Sequence, residues 1–281
     1  MNKRDAEVYY NKADEITSIP DNERTNRQNH LALEFINKAI ALNPAPSKYY
    51  SLKGVIQIDL DNYQAAIPSY TKAIEKDVTN YLAWMGLGVA YKNLGNYKLA
   101  EQHYLKALDY NPNSSNTHYN LGKLYGDIGK IDLALTQYSK AINAYPKHVN
   151  AYVSRGVLKI DQRDYQSALE DLNTAIELDP ANKIAFNNRG LCKYYLKQYK
   201  AAIFDLKRSL EKEGDATPQN NSIAHSYAYN NIANCYFAIK DQENACKYWK
   251  LAIAHGYQYR AEWKELYDID DPVELIKKHC K

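Results

Sequence analysis

A chain that matches itself at a fixed interval of 34 residues must bury the same face in every unit, so it stacks as a solenoid and does not close into a globule. This 281-residue sequence has that interval. In the unit that starts at Tyr81, the fourth, seventh, eighth and eleventh positions are Trp84, Leu87, Gly88 and Tyr91. They lie three or four residues apart, on one helical face. After a break at Gly95-Asn96, a second face carries Ala100, Tyr104 and Ala107. Pro112 ends it, because proline lacks an N–H and its ring clashes inside a helix.

The same positions recur along the chain. The unit from Ser115 has His118, Leu121, Gly122, Tyr125, Ala134, Tyr138, Ala141 and Pro146. The unit from Val149 has Tyr152, Arg155, Gly156, Ala168, Leu172, Ala175 and Pro180. The unit from Lys183 has Phe186, Arg189, Gly190, Ala202, Leu206 and Ser209, and that from Ser47 has Tyr50, Gly54, Ala66, Tyr70 and Ala73. A last unit from Ser226 has Tyr229, Ile232, Ala233, Tyr236, Ala245, Trp249 and Ala252. Small residues at the eighth and twentieth positions let two helices approach closely, and the aromatic residues fill the space that remains.

This helix–turn–helix period resembles the tetratricopeptide repeat (TPR) family, and in particular bacterial multi-repeat TPR proteins. The resemblance implies an all-α fold: a right-handed superhelix, or α-solenoid, of about seven repeats with a C-terminal capping helix. Residues 1–46 read as a divergent first repeat, with helices near Asp5–Thr17 and Asn29–Leu42 and a longer loop, Ile19–Arg27, between them. Residues 47–216 hold five units in register, 217–225 an inserted loop, 226–259 the last unit and 260–281 a helical cap carrying Trp263, Leu266, Tyr267, Val273, Leu275 and Ile276. Pro68 is expected to loosen the first turn of its helix.

Other chemistries find little footing. The 36 basic and 33 acidic residues are interspersed, and a net charge of +3 does not point to nucleic acid. No apolar run reaches the length of a membrane span, and Met1–Tyr10 does not read as a signal peptide. The expectation is a cytoplasmic protein, or a periplasmic one if a leader has been removed. Gly86-Leu87-Gly88 lacks the strand and third glycine of a dinucleotide loop. The seven histidines show no metal spacing and there is no CxxC, so neither a metal nor a cofactor is expected. No nucleophile and base are tied together, which reads as non-enzymatic.

In TPR superhelices the first helix of each pair lines a concave groove. Family geometry turns the second, fifth, ninth and twelfth positions inward, with the sixth nearby. That implies Ser51, Val55, Met85, Val89 and Lys92 in the N-terminal part, and Tyr119, Lys123, Val153 and Val157 in the middle. The C-terminal part offers Asn187, Leu191, Tyr194, Tyr227, Asn230, Asn234 and Phe237. Tyrosine is abundant, 27 residues against 4 phenylalanines, and Tyr119, Tyr194, Tyr195 and Tyr227 are not used by the repeat signature. A ring with a polar tip suits a binding surface; codon bias is the bland alternative.

The sixth position holds Asn120, Asn188 and Asn231, with Ser154 between them. That partial ladder resembles the superhelix of O-linked N-acetylglucosamine transferases, where amides grip an extended peptide backbone; Leu52 and Gly86 interrupt it here. No register supplies the lysines and arginine of the clamp by which TPR co-chaperones hold heat-shock protein tails. The expected site is therefore Tyr119, Asn120, Ser154, Asn187, Asn188, Tyr194, Tyr227, Asn230, Asn231 and Asn234, binding an extended segment of a protein partner. Two alternatives remain: an accessory subunit docking by its convex face or its 217–225 loop, and a glycan or small-molecule binder using the tyrosines. The oligomeric state is open.

Cys192 and Cys235 share the tenth position and read as buried hydrophobes. The stretch NACKYWKLAIAHGY followed by ELIKKHC resembles the ends of many bacterial TPR proteins. It implies a possible disulfide between Cys246 and Cys280, and with it an oxidising compartment, against two reduced thiols.

Overall fold

The computed structural model describes residues 2–20, 23–211, 223–259 and 270–280. Among these there are fifteen helices and no strand. They fall into two compact units, Met1–Pro146 and Lys147–Lys281. The first holds α1 (Asn2–Thr17), α2 (Asn26–Leu42), α3 (Ser47–Asp59), α4 (Tyr63–Lys76), α5 (Tyr81–Asn93), α6 (Tyr97–Tyr110), α7 (Ser115–Asp127) and α8 (Ile131–Ala144). The second holds α9 (Val149–Asp161), α10 (Tyr165–Leu178), α11 (Lys183–Tyr195), α12 (Tyr199–Ser209), α13 (Ile223–Ala238), α14 (Gln242–Ala254) and α15 (Pro272–His279). Each odd helix packs on the even helix that follows it, as short connections require. Within each unit, successive odd helices are also neighbours.

The punctuation is local chemistry. The fifteenth position of a unit turns the chain with positive φ, at Asp61 (55°), Gly95 (77°), Gly129 (74°), Arg163 (62°), Lys197 (60°) and Lys240 (66°). Only two of the six are glycine, so four side chains sit in the left-handed region that L-residues disfavour. Asn62, Asn96, Asp164 and Asp241 follow and cap the second helices. Asn80, Ser114, His148 and Asn182 cap first helices in the same way, each accepting from the third N–H of the helix.

Ahead of α2, Arg24 ties the first pair to α3. Its side chain is buried, donating to Thr17 O at 2.7 Å and pairing with Asp59 Oδ2 at 2.8 Å. Thr25 and Gln28 then form a capping box that starts α2. Helix α4 runs unbroken through Pro68, which lies beyond its first turn, so the expected loosening of that turn is not seen. The only loss there is the backbone N–H that proline cannot supply. Of the expected inserted loop, Ile223–His225 belong to α13 and 217–222 lie outside the described residues. Of the expected cap, Val273, Leu275 and Ile276 lie on α15, while Trp263, Leu266 and Tyr267 lie outside the described residues.

The core is one alanine layer per helix pair with a large side chain between. Ala66, Ala73, Ala100, Ala107, Ala134, Ala141, Ala168, Ala175 and Ala202 are all 0% exposed. Tyr70 lies between two glycines. A Cβ at Gly54 would come within 2.6 Å of its ring, and one at Gly86 within 2.2 Å of Cζ. Both must therefore be glycine for the ring to pass.

A ladder in the first unit links each pair to the one before. Tyr50 Oη donates to Pro44 O at 3.2 Å and Trp84 Nε1 to Val78 O at 2.8 Å, and His118 Nε2 lies 2.9 Å from Pro112 O. These three residues occupy the fourth position and these carbonyls the thirty-second. The aromatic signature thus ends a preceding turn as well as filling a core.

Candidate functional site

Helices α1, α3 and α5 enclose a groove of about 360 Å³ on one face of the first unit. Ser51, Val55, Met85 and Val89, all expected to point inward, line it. So do Tyr10 and Asp14 from α1, together with Leu52, Ile58, Tyr70, Leu82 and Gly86. The floor is the Tyr70 ring, visible because Gly86 has no side chain to cover it. Val55 is 40% exposed and Leu82 48%, large apolar groups presented to solvent on rigid helices. Burial pushes the Tyr70 phenol well above the usual tyrosine range, so it stays neutral.

The polar rim is tied down. Asn80 donates to Ser47 Oγ at 2.7 Å and Ser51 Oγ at 2.9 Å, and its own oxygen caps α5. Lys48 pairs with Glu7 at 2.6 Å, and Tyr49 donates to the same carboxylate at 2.8 Å. These two hydrogen bonds hold the Glu7 carboxyl below its usual range. Burial, then the Glu7 contact, pushes the Tyr49 phenol up to about 12. Lys92, also expected to point inward, pairs with Asp127 at 2.7 Å. The groove therefore offers apolar contact edged by satisfied polar groups.

Sequence reasoning missed the contribution of α1. The longer loop removes α1 from the 34-residue register, so no position could be counted onto Tyr10 or Asp14. It also missed Gly86 and Tyr70 as a groove floor, although Gly86 at the sixth position beside a tyrosine-bearing repeat was the available signal.

The expected site residues divide between the units. Tyr119 and Asn120 are half-buried on α7, with the Tyr119 ring 5.9 Å from that of Tyr138. In the second unit Ser154, Asn187, Asn188, Tyr194, Tyr227, Asn231 and Asn234 are half-buried on α9, α11 and α13. Asn188 donates to Ile184 O at 2.9 Å within its own helix. The Asn187 Oδ1 atom is buried with no hydrogen-bond partner among the described residues. Tyr194 packs on Tyr195 and Tyr199, and Tyr227 on Tyr257 at 5.1 Å.

Two of the asparagines are placed differently from expectation. Asn230 is only 2% exposed and donates to Tyr257 Oη at 3.2 Å, so it packs inside the last pair and does not line a groove. Asn234 accepts from Trp249 Nε1 at 2.9 Å, which commits its oxygen to the core. The partners are particular to this pair: Tyr257 follows α14, and Trp249, on α14, stands where the five pairs before it carry tyrosine or leucine.

Cys246 and Cys280 are joined by a disulfide across 34 positions. Cys192 and Cys235 are buried free thiols, pushed up to about 12 by burial and therefore poor nucleophiles. No group of three or more metal-ligating side chains occurs among the described residues. None of the described helices is long and apolar enough to cross a membrane.

Family models for the tetratricopeptide repeat match residues 47–76, 81–114, 103–136 and 156–221. The chain belongs to the tetratricopeptide repeat family. A curated relative is anaphase-promoting complex subunit 3 of Schizosaccharomyces pombe, 38% identical over 65 residues; these are 23% of this chain and 10% of the relative. The chain thus spans about a tenth of that relative's length. Among solved structures, PilF of Pseudomonas aeruginosa superposes with a TM-score of 0.66 at 16% identity, over 83% of this chain and 96% of that one. A tetratricopeptide repeat protein of Parabacteroides merdae gives 0.57 at 21% identity, over 95% and 98%. YrrB, described as a TPR protein with an unusual peptide-binding site, gives 0.51 at 23% identity, over 70% and 98%. These likenesses establish the TPR solenoid fold, which is a protein-interaction scaffold.

Proposed function

We propose that this TPR protein is a non-enzymatic adaptor that holds an extended segment of a partner protein in the groove formed by α1, α3 and α5. The observation that carries the reading is the preformed apolar floor and wall: Tyr70 and Leu52 below, Val55, Leu82, Met85 and Val89 at the sides. Apolar side chains of the segment would displace water from these groups, and little order would be lost because the helices are already fixed. The peptide-binding description of YrrB, a protein of the same fold, supports the assignment.

The second unit carries a separate candidate contact of its own. Its half-buried Asn188 and Asn231 would pair with peptide backbone, since a side-chain amide both donates and accepts. The Cys246–Cys280 bridge supports an oxidising setting for the chain over a reducing cytoplasm.

The test is a cross-linked pull-down from source cells with the intact protein, a Val55→Glu/Met85→Glu variant and an Asn188→Ala/Asn231→Ala variant. Circular dichroism checks that helix is retained. A partner lost from the first variant and weakened by the second is expected. A partner held equally by all three would reject the groove and direct attention to the outer faces.

A further inference from the structure

In the second unit every even helix receives the next odd helix: α11 packs on α10 and α13 packs on α12. Helix α14 receives α15. The face that α15 covers is thus a helix-accepting surface by construction, the place where a following repeat would start. Its buried centre is Ala233, Ala245 and Trp249, all 0% exposed, and Leu275 and Ile276 of α15 close over it. The His279 ring lies 4.8 Å from Phe237, and Gln242 donates to His279 O.

The fit is partial. Interior first helices such as α11 span 13 residues, whereas α15 spans 8. Phe237, at the edge of the covered face, stays 38% exposed. What distinguishes α15 from a true repeat helix is the covalent tie from Cys280 to Cys246, both only partly buried. A short helix with two apolar side chains on the surface owes much of its residence to that tie, which keeps its local concentration high.

We propose that the Cys246–Cys280 bridge is a redox latch on an interaction surface, and that its reduction frees the α13–α14 face for an amphipathic helix supplied by another chain. The step is thiol–disulfide exchange with an external dithiol. A thiolate of the dithiol attacks one bridge sulfur, the S–S bond breaks and a mixed disulfide forms. The second thiol of the dithiol then displaces it. Two electrons and two protons pass to Cys246 and Cys280, which become thiols, and the dithiol leaves as its disulfide. An incoming helix longer than α15, with Leu or Ile at the positions of Leu275 and Ile276, covers the face more completely and displaces it.

The experiment uses the full chain, oxidised and after quantitative reduction by dithiothreitol, beside a Cys280→Ser variant. Hydrogen exchange is followed over α15, and over α9–α12 as an internal control of folding. The trans probe is a fluorescent synthetic peptide of residues 270–281 with serine at 280, read by anisotropy. On reduction, α15 exchange is expected to rise roughly tenfold or more with α9–α12 unchanged, and the peptide is expected to bind the reduced and Cys280→Ser proteins but not the oxidised one. Unchanged α15 protection after full thiol release would overturn the latch. Release of α15 without peptide binding would overturn the interaction surface. Should Cys280→Ser lose helix by circular dichroism, the reduced wild-type protein decides the matter alone.

Discussion

In the first unit the twenty-fourth position of a repeat is tyrosine, and it meets a glycine across the pair: Tyr70 with Gly54, Tyr104 with Gly88, Tyr138 with Gly122. In the first two pairs of the second unit the same position is leucine, Leu172 against Gly156 and Leu206 against Gly190, and in the last pair it is Trp249. The neighbouring slot, formed by the eleventh and twenty-third positions, changes with it. It is a Gln57–Ser69 hydrogen bond of 2.6 Å in one pair and a Tyr91–His103 stack at 5.2 Å in the next. In the first two pairs of the second unit it becomes ionic, and an arginine from the seventh position joins it. Asp171 takes a fork from Arg155 at 2.9 and 2.6 Å and Lys159 at 2.8 Å. Asp205 takes Arg189 twice at 2.8 Å and Lys193 at 2.6 Å. The last pair returns to aromatics, Tyr236 on Tyr248 at 5.6 Å.

The difference shows that a repeat backbone fixes where two side chains meet and leaves open what chemistry joins them. A ring against a glycine gains by burial and tolerates loss of its polar tip. A fully buried carboxylate between two cations does not tolerate loss of a partner, because the remaining charges stay desolvated and repel.

The largest expected effect breaks this comparison from the ionic side. Asp205→Ala should destabilise the protein by about 3–5 kcal/mol, read as a lower urea midpoint with hydrogen exchange rising first over α11 and α12. Removing the bridge by Cys246→Ser/Cys280→Ser comes next, at about 2–4 kcal/mol for a loop of this length. A reversible melt should show it.

Gly86→Ala drives a methyl into the Tyr70 ring and should cost about 1–3 kcal/mol by overpacking. The double variant with Tyr70→Leu should recover most of that in a denaturation cycle. An unrecovered loss would mean that the ring is not the obstacle.

The pH response sharpens the comparison differently. His103, stacked between Trp84 and Tyr91, is held by burial below its ordinary value of 6.5, and its Nδ1 has no partner among the described residues. His148 in the second unit is likewise lowered by burial. Protonation therefore favours the unfolded chain. Stability should be complete above about pH 6.5 and fall as pH drops below it. His103→Gln should flatten part of that slope in denaturant midpoints taken from pH 7 to 5.

The smallest effects carry the opposite sign. Tyr104 Oη is buried without a partner among the described residues, so Tyr104→Phe should be neutral or stabilise by up to ~1 kcal/mol. Lys197→Gly, relieving a positive φ, should give a gain of similar size in the melting temperature. A marked loss in either case would contradict the packing described.

Much of the fold was legible because periodicity is a property of spacing alone. Leu87, Gly88, Ala100 and Tyr104 announce a helix pair wherever they occur together. The ionic triads were half visible: Arg155 and Arg189 stood out at the seventh position, but Lys159, Lys193, Asp171 and Asp205 were not joined to them. The signal existed, since Arg, Lys four residues on and Asp sixteen residues on recur one period later. The groove in the first unit was legible for Ser51, Val55, Met85 and Val89, which lie in register, and not for Tyr10 or Asp14, which do not. Asn230 and Asn234 hold positions that face a groove elsewhere, and counting could not reveal that they turn to Tyr257 and Trp249.

By itself the sequence determined the repeat length, the pairing of helices and the identity of the close contacts, because these follow from local spacing and side-chain size. Only the tertiary structure decided which surface stays open. An open surface depends on what lies beyond the repeat: a buried Arg24 that sets the first helix against α3, and a short terminal helix held over α14 by a bridge. Those are single interactions between distant positions, and periodicity carries no information about them.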